Sequence, residues 1–492
     1  MEVARDRTAL SRQALSRPWR LAIADGLVRE DASLFDYGCG KGDDLRLLMA
    51  QGLVANGWDP NHRPDTELRP SAVVNLGYVI NVIEAPAERA ETLQSAWKLA
   101  GRLLIVAARM TGEERDLAQR TRLADGILTS RNTFQKFYEQ QELKHWIEKV
   151  LGAEAIAAGP GIFYVFRDAD AGEAYRSAKT RRRIAAPSLT LSEQRCREHP
   201  ALVDGLIRFY TERARLPEPD ELAESEVIAR VFGSIKRAFQ AILRTNAEVD
   251  WGQIIAARRE DLLLYLALSR FERGMRWSKL SEPLRRDVRA LFGTYAAAQR
   301  QAEALLLQLG QPGAVDAAVS AATVGKTTPT AIYVHLSALE QLPLLLRAFA
   351  GCGHGYLGAV EGATLIKIYR REPKLSYLAY PDFDRDPHPA LDFSFNIDLR
   401  ELRLKRRWFK GQPNPPVLHR KECFVAEGYP RRATFARLTK AEEAAGLLEA
   451  TDRIGLRRGW EAVLNENGFT LAGHRLIRVP QTGVSASPTK AT

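Results

Sequence analysis

The sequence predicts a Rossmann-like α/β domain with a mostly parallel, doubly wound sheet, followed by an all-α domain and a basic α+β domain. Three observations lead there. From residue 33 to 168, short apolar runs rich in branched and aromatic residues alternate with stretches whose apolar residues recur every three or four positions. From 191 to 309 the pattern is almost wholly helical. Beyond the small-residue stretch 310–328, runs of both kinds return on a background of excess Lys and Arg.

In the first segment, SLFDYG, GLVANGWD, AVVNLGY, RLLIVAAR and GIFYVFRD read as strands, and DDLRLLMA, ERAETLQSAWKLAG and FYEQQELKHWIEKVLG as helices. Strand and helix in alternation give a parallel sheet covered on both faces. Residues 1–170 are assigned to this domain. RSAKTRRRIAAP joins a charge run to a proline and reads as a basic linker, 171–190. The helical domain, 191–310, is represented by SEVIARVFGSIKRAFQAILRT and REDLLLYLALSRFERGM. In 311–480, AIYVHLSALE, YLGAVEGATLIKIYR, PKLSYLAY and FSFNIDLREL suggest an α+β domain, closed by the helices LTKAEEAAGLLEAT and GWEAVLNENG. QTGVSASPTKAT, 481–492, is small and polar enough for a disordered tail.

The 492 residues are 45% hydrophobic and 27% charged, globular values that exclude a mainly disordered or fibrous chain. Four scattered cysteines, Cys39, Cys196, Cys352 and Cys423, exclude a disulfide framework or a zinc ribbon and fit a reducing cytoplasm. No export signal and no long apolar window is present, so a cytoplasmic chain without a membrane partner is expected. The net charge of +11 is unevenly spread: −2 in residues 1–170, +6 in 171–310 and +7 in 311–492. A polyanion such as nucleic acid would be drawn to the last two thirds.

The most informative segment is LFDYGCGKGDD, a strand entering a Gly-x-Gly-x-Gly loop that opens a helix. Glycines let the chain turn sharply and admit a ligand close to the backbone. A dinucleotide fingerprint needs its third glycine three residues after the second; that position is Asp43, and Gly42 comes one residue early. Asp36, Asp43 and Asp44 would repel a pyrophosphate and tolerate a cation. The spacing Asp36-x-Gly38-Cys39-Gly40-x-Gly42 is the one expected around S-adenosylmethionine, whose sulfonium and amino group are positive. Asp59, in Gly57-Trp58-Asp59-Pro60, lies where a carboxylate can accept from ribose hydroxyls, and Trp58 is positioned to cover an adenine or to join the core.

RDRTALSRQALSRP, FDYGCGKGDD, GWDP, NLGYVINVIE and PGIFYVFRD, followed by YPDFDRDPHPAL and NPPVLHRKE, resemble the DNA phosphorothioation-associated methyltransferases over nearly the whole chain. The glycine loop is shared by class I methyltransferases in general; NLGYVINVIE and the C-terminal segments are more particular. The resemblance implies an S-adenosylmethionine-binding class I domain and a context of DNA modification and bacterial defence. It makes DNA, and proteins of the machinery that replaces a phosphate oxygen by sulfur, the implied partners. One departure is plain. Too few residues separate Asp59 from Val73 for a full helix and strand, so the sheet is expected to lack one element, and the acid that would reach the adenine from it is unassigned.

The acceptor can be narrowed. Methylation at cytosine C5 needs a Pro-Cys nucleophile, and Gly38, Arg195, Gly351 and Glu422 precede the four cysteines. Methylation of an exocyclic amino group needs hydrogen-bond acceptors for that group and a ring to clamp the flipped base. The usual Asn-Pro-Pro-aromatic solution is matched by Asn75-Leu76-Gly77-Tyr78 without its prolines, so Asn75 would accept and Tyr78 would stack; an ordinary strand end fits the same residues. Asn414-Pro415-Pro416-Val417 lacks the aromatic, and Gly325-Lys326-Thr327-Thr328 lacks the first glycine of a P-loop, Ser320 standing in its place.

Two basic clusters suit phosphate contact, the second with aromatic rings for stacking. Arg181, Arg182 and Arg183 stand in the first; Arg403, Lys405, Arg406, Arg407, Trp408 and Lys410 in the second. Asp382, Asp384, Asp386 and His388, with Glu422, gather acids as a metal nuclease does, although an acid-rich turn suits them better and a calcium hand is excluded by Pro387 and Phe393. No metal is expected. The leading expectation is S-adenosylmethionine-dependent methyl transfer to DNA by Asn75 and Tyr78. Its alternative is a catalytically inactive methyltransferase-fold module that binds or recruits DNA, or a nuclease-like C-terminal domain.

Overall fold

The apolar runs of the first segment become strands, and all but GLVANGWD, which is partly exposed, are largely buried on both sides, as parallel strands between helical layers must be. The computed structural model describes residues 3–9, 11–113, 121–182, 184, 194–246, 249–272 and 280–479. Its first strands are β1 (Leu34–Tyr37), β2 (Ala55–Trp58), β3 (Ser71–Gly77) and β4 (Ala100–Ala107). Then come β5 (Arg122–Leu123), β6 (Gly126–Leu128) and β7 (Phe134–Gln135), a small antiparallel sheet, and β8 (Ile156–Gly159) and β9 (Ile162–Phe166). The main sheet has the order β2-β1-β3-β4-β9-β8, with β1 to β4 parallel and β9 antiparallel to both neighbours.

It is a Rossmann-like, doubly wound α/β sheet. The departure read in the sequence is realised: residues 59–70 are turns and irregular chain, no helix or strand lies between β2 and β3, and β2 is the sheet's edge. β8 was not anticipated, since IAAG is too short and small to register as a strand.

Alternation along each strand feeds two cores. Phe35, Val74, Leu76, Leu104, Val106 and Phe163 pack under α3 (Pro86–Leu99) and α4 (Gln140–Leu151) through Leu93, Ala96, Leu143 and Ile147. Leu34, Val73, Leu103, Ile105 and Tyr164 pack under Trp19 and Ala22 of α1 (Arg17–Ala24). Helix α2 (Asp43–Met49) follows the glycine loop.

The described part of the predicted linker is largely a helix, α5 (Ala169–Thr180), whose N-cap Asp168 accepts from the amide of Asp170. Its charges face partners: Arg176 pairs with Glu154 and Glu272, and Lys179 with Asp25. The start of the charge run expected in a basic linker is thus an ion-paired surface between packed elements. Seven further helices follow: α6 (Gln194–Glu198), α7 (Pro200–Arg213), α8 (Ser225–Phe232), α9 (Ile235–Thr245), α10 (Trp251–Glu272), α11 (Glu282–Phe292) and α12 (Tyr295–Leu309). By its contacts the chain forms two units, Met1–Gln308 with Gly351–Ala359, and Leu309–Ala350 with Val360–Thr492. The predicted helical domain therefore shares a unit with the parallel sheet.

The second unit contains α13 (Ala314–Ser320), α14 (Leu344–Leu357) as far as Ala350, α15 (Arg432–Ala444) and α16 (Arg457–Glu466). Its sheet runs in sequence order, all antiparallel: β10 (Lys326–Thr327), β11 (Ala331–His335), β12 (Leu365–Tyr369), β13 (Lys374–Ala379), β14 (Phe393–Asp398) and β15 (Arg403–Trp408). A hairpin, β16 (Phe469–Leu471) and β17 (Leu476–Arg478), completes it. One face buries Ile332, Val334, Ile366, Ile368, Leu375, Tyr377 and Ile397. The predicted tail 481–492 lies outside the described residues, and no described helix is long and apolar enough to cross a membrane.

Candidate functional site

Strand β1 ends in the glycine loop, and its parallel register sets Asp36 beside Asn75 of β3 and Gly57 of β2. Gly38, Gly40 and Gly42 have φ of +83°, +53° and +82°. At Gly38 a Cβ would also lie 2.4 Å from Val79 Cγ2, so no other residue fits there. The amides of Gly38 and Cys39 donate to the Trp58 carbonyl (2.8 and 3.1 Å), that of Gly40 to Asp59 Oδ2 (3.0 Å), and that of Gly42 to the Cys39 carbonyl (3.0 Å). The loop thus spends these donors on the end of β2 and on itself, unlike a phosphate cradle, which aims them at its ligand.

What it presents instead is acceptors. Asn75 Nδ2 donates to Asp36 Oδ1 at 2.7 Å, which leaves the buried Asn75 Oδ1 without a partner. Asp59 Oδ1 accepts from the amides of Asn61 and His62, both at 3.0 Å, so with the Gly40 bond its carboxylate retains one accepting position. Burial pushes the Asp36 carboxyl up to about 7, helped by the charges of Asp44 and Asp59 and opposed by Asn75 and Arg12. Burial, with the carboxyls of Asp36 and Asp59, holds the Cys39 thiol up at about 12, so it is a thiol, not a thiolate. An acceptor-rich, donor-poor pocket with a poised carboxyl fits a cation that carries N–H and O–H groups. Trp58 closes the β2 side, its ring 5.2 Å from Tyr37 and its Nε1 donating to the Pro64 carbonyl.

The sequence reading missed a strap. Residues 3–9 and 11–16 cross the loop: the Arg12 amide donates to Asp43 Oδ2 and the Ser16 amide to Asp44 Oδ1, each at 2.7 Å. Asp43 and Asp44 therefore hold protein backbone as well as repelling anions. Lys41 Nζ reaches Ser11 Oγ at 3.3 Å, and a Cβ on Gly40 would lie 3.0 Å from Ala9 Cβ. Arg5 anchors the strap by donating to both Glu84 and Glu88 at 2.5 to 3.1 Å. A signal existed, since RDRT and NVIE both belong to the family resemblance and meet through Arg5 and Glu84.

Asn75 and Tyr78 have different settings. Asn75 sits inside β3 with Asp36, beside the loop. Tyr78, past the strand end, has φ of +63°, a strained conformation for a tyrosine, fixed by its amide bonding the Ala107 carbonyl at 2.8 Å. Its ring packs against the cluster of Leu15, Trp19, Ile105 and Ala107. Burial raises its hydroxyl, with Arg17, Arg109 and Arg12 near enough to oppose.

The two basic clusters fare differently. Arg182 donates to Asp261 at 2.7 Å and pairs with Glu260, and Arg181 lines a small cleft with Arg213, Arg258 and Asp287. Arg182 is committed to the fold, which corrects its assignment to nucleic acid; Arg183 lies outside the described residues. In the second cluster the strand pleat separates what the sequence grouped. Arg403, Lys405 and Arg407 are exposed on one face of β15, while Arg406 lies over Phe395 and Trp408 against Phe393 on the other. Lys410 is exposed beyond the strand.

Asp382, Asp384, Asp386, His388 and Glu422 do not converge. Asp384 accepts from the Tyr429 hydroxyl, Asp386 caps the His388 amide, and Glu422 accepts from Thr439. No group of three or more His, Cys, Asp or Glu among the described residues is arranged for a metal. His388 turns inward instead, with Nε2 2.7 Å from Glu442 Oε1 and Nδ1 3.2 Å from the Leu418 carbonyl. His419 and Trp460 stack beside it. Lys421 donates to the carbonyls of Phe383 and Asp386, and burial lowers it to about 7. The two C-terminal resemblance motifs are thus halves of one buried polar knot.

Solved structures similar to part of this chain include methyltransferases. CalS10, an amino pentose methyltransferase from Micromonospora echinaspora solved with SAM bound, is 14% identical, with a TM-score of 0.25, over 31% of this chain and 90% of that one. The sugar N-methyltransferase KedS8 from Streptoalloteichus sp ATCC 53650 is 15% identical, with a TM-score of 0.23, over 34% and 98%. Magnesium protoporphyrin IX methyltransferase from Synechocystis PCC 6803, solved with bound SAH, is 14% identical, with a TM-score of 0.22, over 31% and 83%. No protein-family model matches the sequence, and no curated protein does.

Proposed function

We propose that the first unit binds S-adenosylmethionine at the 36–42 loop and transfers its methyl group to DNA, in a modification system linked to phosphorothioation. The observation that carries the cofactor is the loop's own hydrogen bonding: donors turned inward, acceptors left over, and a buried carboxyl awaiting a positive partner. Asp36 and the unpartnered Asn75 Oδ1 would hold the cofactor's cationic end, Asp59 a ribose hydroxyl, and Trp58 the adenine side. Bound there, the cofactor supplies an electrophilic methyl on a sulfonium. The chain's own part is to orient it, to shield it under the strap, and to keep the Cys39 thiol protonated so that it does not compete as a nucleophile.

DNA as the acceptor is supported by the positive charge beyond residue 170 and by the family resemblance. The test is full-length protein with tritiated S-adenosylmethionine and single- and double-stranded DNA. Label in DNA that disappears in Asp36→Asn is the expected result, and cofactor binding without label in any base removes DNA methylation. A second reading gains from the placement of Tyr78: with its ring against the core and Asn75 engaged by Asp36, the unit is a cofactor-responsive module that recruits DNA or modification proteins without turnover. Tight cofactor binding and DNA binding with no transfer is its signature.

A further inference from the structure

We infer that the polar face of the second unit's sheet is a binding platform for single-stranded nucleic acid. The pairing registers place Lys326, Tyr333, Lys367, Ser376, Asn396 and Lys405 in one row across all six strands, side chains on the same face. At ordinary interstrand spacing the row is about 24 Å long. A second row beside it holds Tyr369 on β12, then Lys374, Asp398 and Arg403. The inference deepens the proposed function by naming where its DNA would lie, and it rests on that reading for the choice of a nucleic acid as occupant.

Three features fit that occupant. The face is cationic: it carries Lys326, Lys367, Lys374, Arg403, Lys405 and Arg407 with Asp398; Lys374 pairs with Glu372 and Arg403 with Glu401, and among the described residues Lys405 and Arg407 are exposed with no ion pair. Its centre carries aromatic rings, with Lys367 Nζ 5.2 Å from the Tyr333 ring and 4.3 Å from that of Tyr369, and both tyrosines only partly buried. Its neighbours are small and polar, Ser376 bonding Asn396, so no bulky side chain stands between the tyrosines and the basic edge strand. Basic groups along an edge with rings toward the middle suit phosphates and unstacked bases together; a duplex would offer phosphates alone. The other end of the face is closed by Leu365, Leu378 and Tyr380 beneath Phe383, Leu418 and Phe435, which confines a strand to the open half.

The pleat also separates the contacts from the aromatic residue that sequence proximity favours. Trp408 faces the opposite side, so its substitution leaves this platform intact.

The test uses the full chain, a fluorescent 20-nucleotide single strand, and its duplex, titrated over a range of salt. Expected is tighter binding of the single strand. In Lys405→Gln with Arg407→Gln the slope of log K against log salt should fall by about 1.4. In Tyr369→Ala affinity for the single strand should fall at least about fivefold, while Trp408→Ala binds as the parent does. Unchanged slope and affinity in the first two variants, or equal binding of the duplex, overturns the platform. Cofactor binding and methyl transfer, measured on the same preparations, separate the two proposals. Single-strand binding that depends on Tyr369 without methyl transfer leaves the platform standing and removes DNA methylation, and the converse result removes the platform.

Discussion

Asp36 is where the charge state of one carboxyl controls a binding site. Burial and two neighbouring acids hold it at about 7, against an ordinary value near 3.8. A cationic ligand binds the ionised form, so the affinity for S-adenosylmethionine should weaken as the pH falls below about 7, by up to about tenfold per unit. The unliganded fold responds in the opposite sense. With the folded value raised, stability is fully present below the unfolded value and is lost as pH rises through about 7. Asp36→Asn should therefore stabilise the unliganded chain at pH 8 by about 1–3 kcal/mol while abolishing the pH dependence of binding and weakening it. Equilibrium dialysis and chemical denaturation read the two effects separately; a variant that loses stability and keeps its affinity overturns the assignment. The residue was legible from its place before the first glycine. Its partnership with Asn75 was not, because cross-strand register is set by packing of both faces and leaves no local mark in either strand.

The strap and α5 show where elements escaped the sequence and why. The three strands of the doubly wound sheet with strong apolar runs, β1, β3 and β4, were legible because burial on two faces leaves an uninterrupted pattern. Residues 3–9 and 11–14 bury little apolar surface and are held by polar contacts at long sequence separation, such as Arg5 to Glu84, so no periodicity records them. In α5 the cations looked like a solvated run because their carboxylates, Glu154, Asp25 and Glu272, lie far off in sequence. Partly exposed ion pairs are worth at most about 1 kcal/mol each, so Arg5→Ala should leave the thermal midpoint within about 2 °C of the parent. Local opening is another matter. Amide exchange at residues 3–9 and 11–16 should quicken by at least about fivefold, and cofactor should dissociate faster. Exchange measured by mass spectrometry decides it, and protection equal to the parent's means the strap is held by something other than Arg5.

Across the whole chain, charge is divided between a nearly neutral first 170 residues, where an acceptor-lined loop suits a cation, and a positive remainder whose sheet face suits a polyanion. The second unit also carries a titration of its own. His388 must keep a proton on Nδ1 to donate to the Leu418 carbonyl, so it and Glu442 share one further proton between Nε2 and Oε1. A histidinium and a carboxylate in the unfolded chain hold the same total between about pH 4.5 and 6.5, so the pair adds little slope there. His419 does add slope. Its Nε2 donates to the Ile454 carbonyl, its Nδ1 is buried without a partner, and burial first, then His388, lowers it to about 4. The unfolded chain takes up that proton near 6.5, so stability is intact at neutral pH and should fall by up to about 1.4 kcal/mol per unit as the pH drops toward 4. His419→Gln keeps a donor for Ile454 and has nothing to titrate. Urea denaturation at pH 7, 6 and 5, followed through the fluorescence of Trp460 4.7 Å away, should give a shallower loss in that variant than in the parent. Parallel losses in the two would mean that the acid sensitivity of this unit comes from another group.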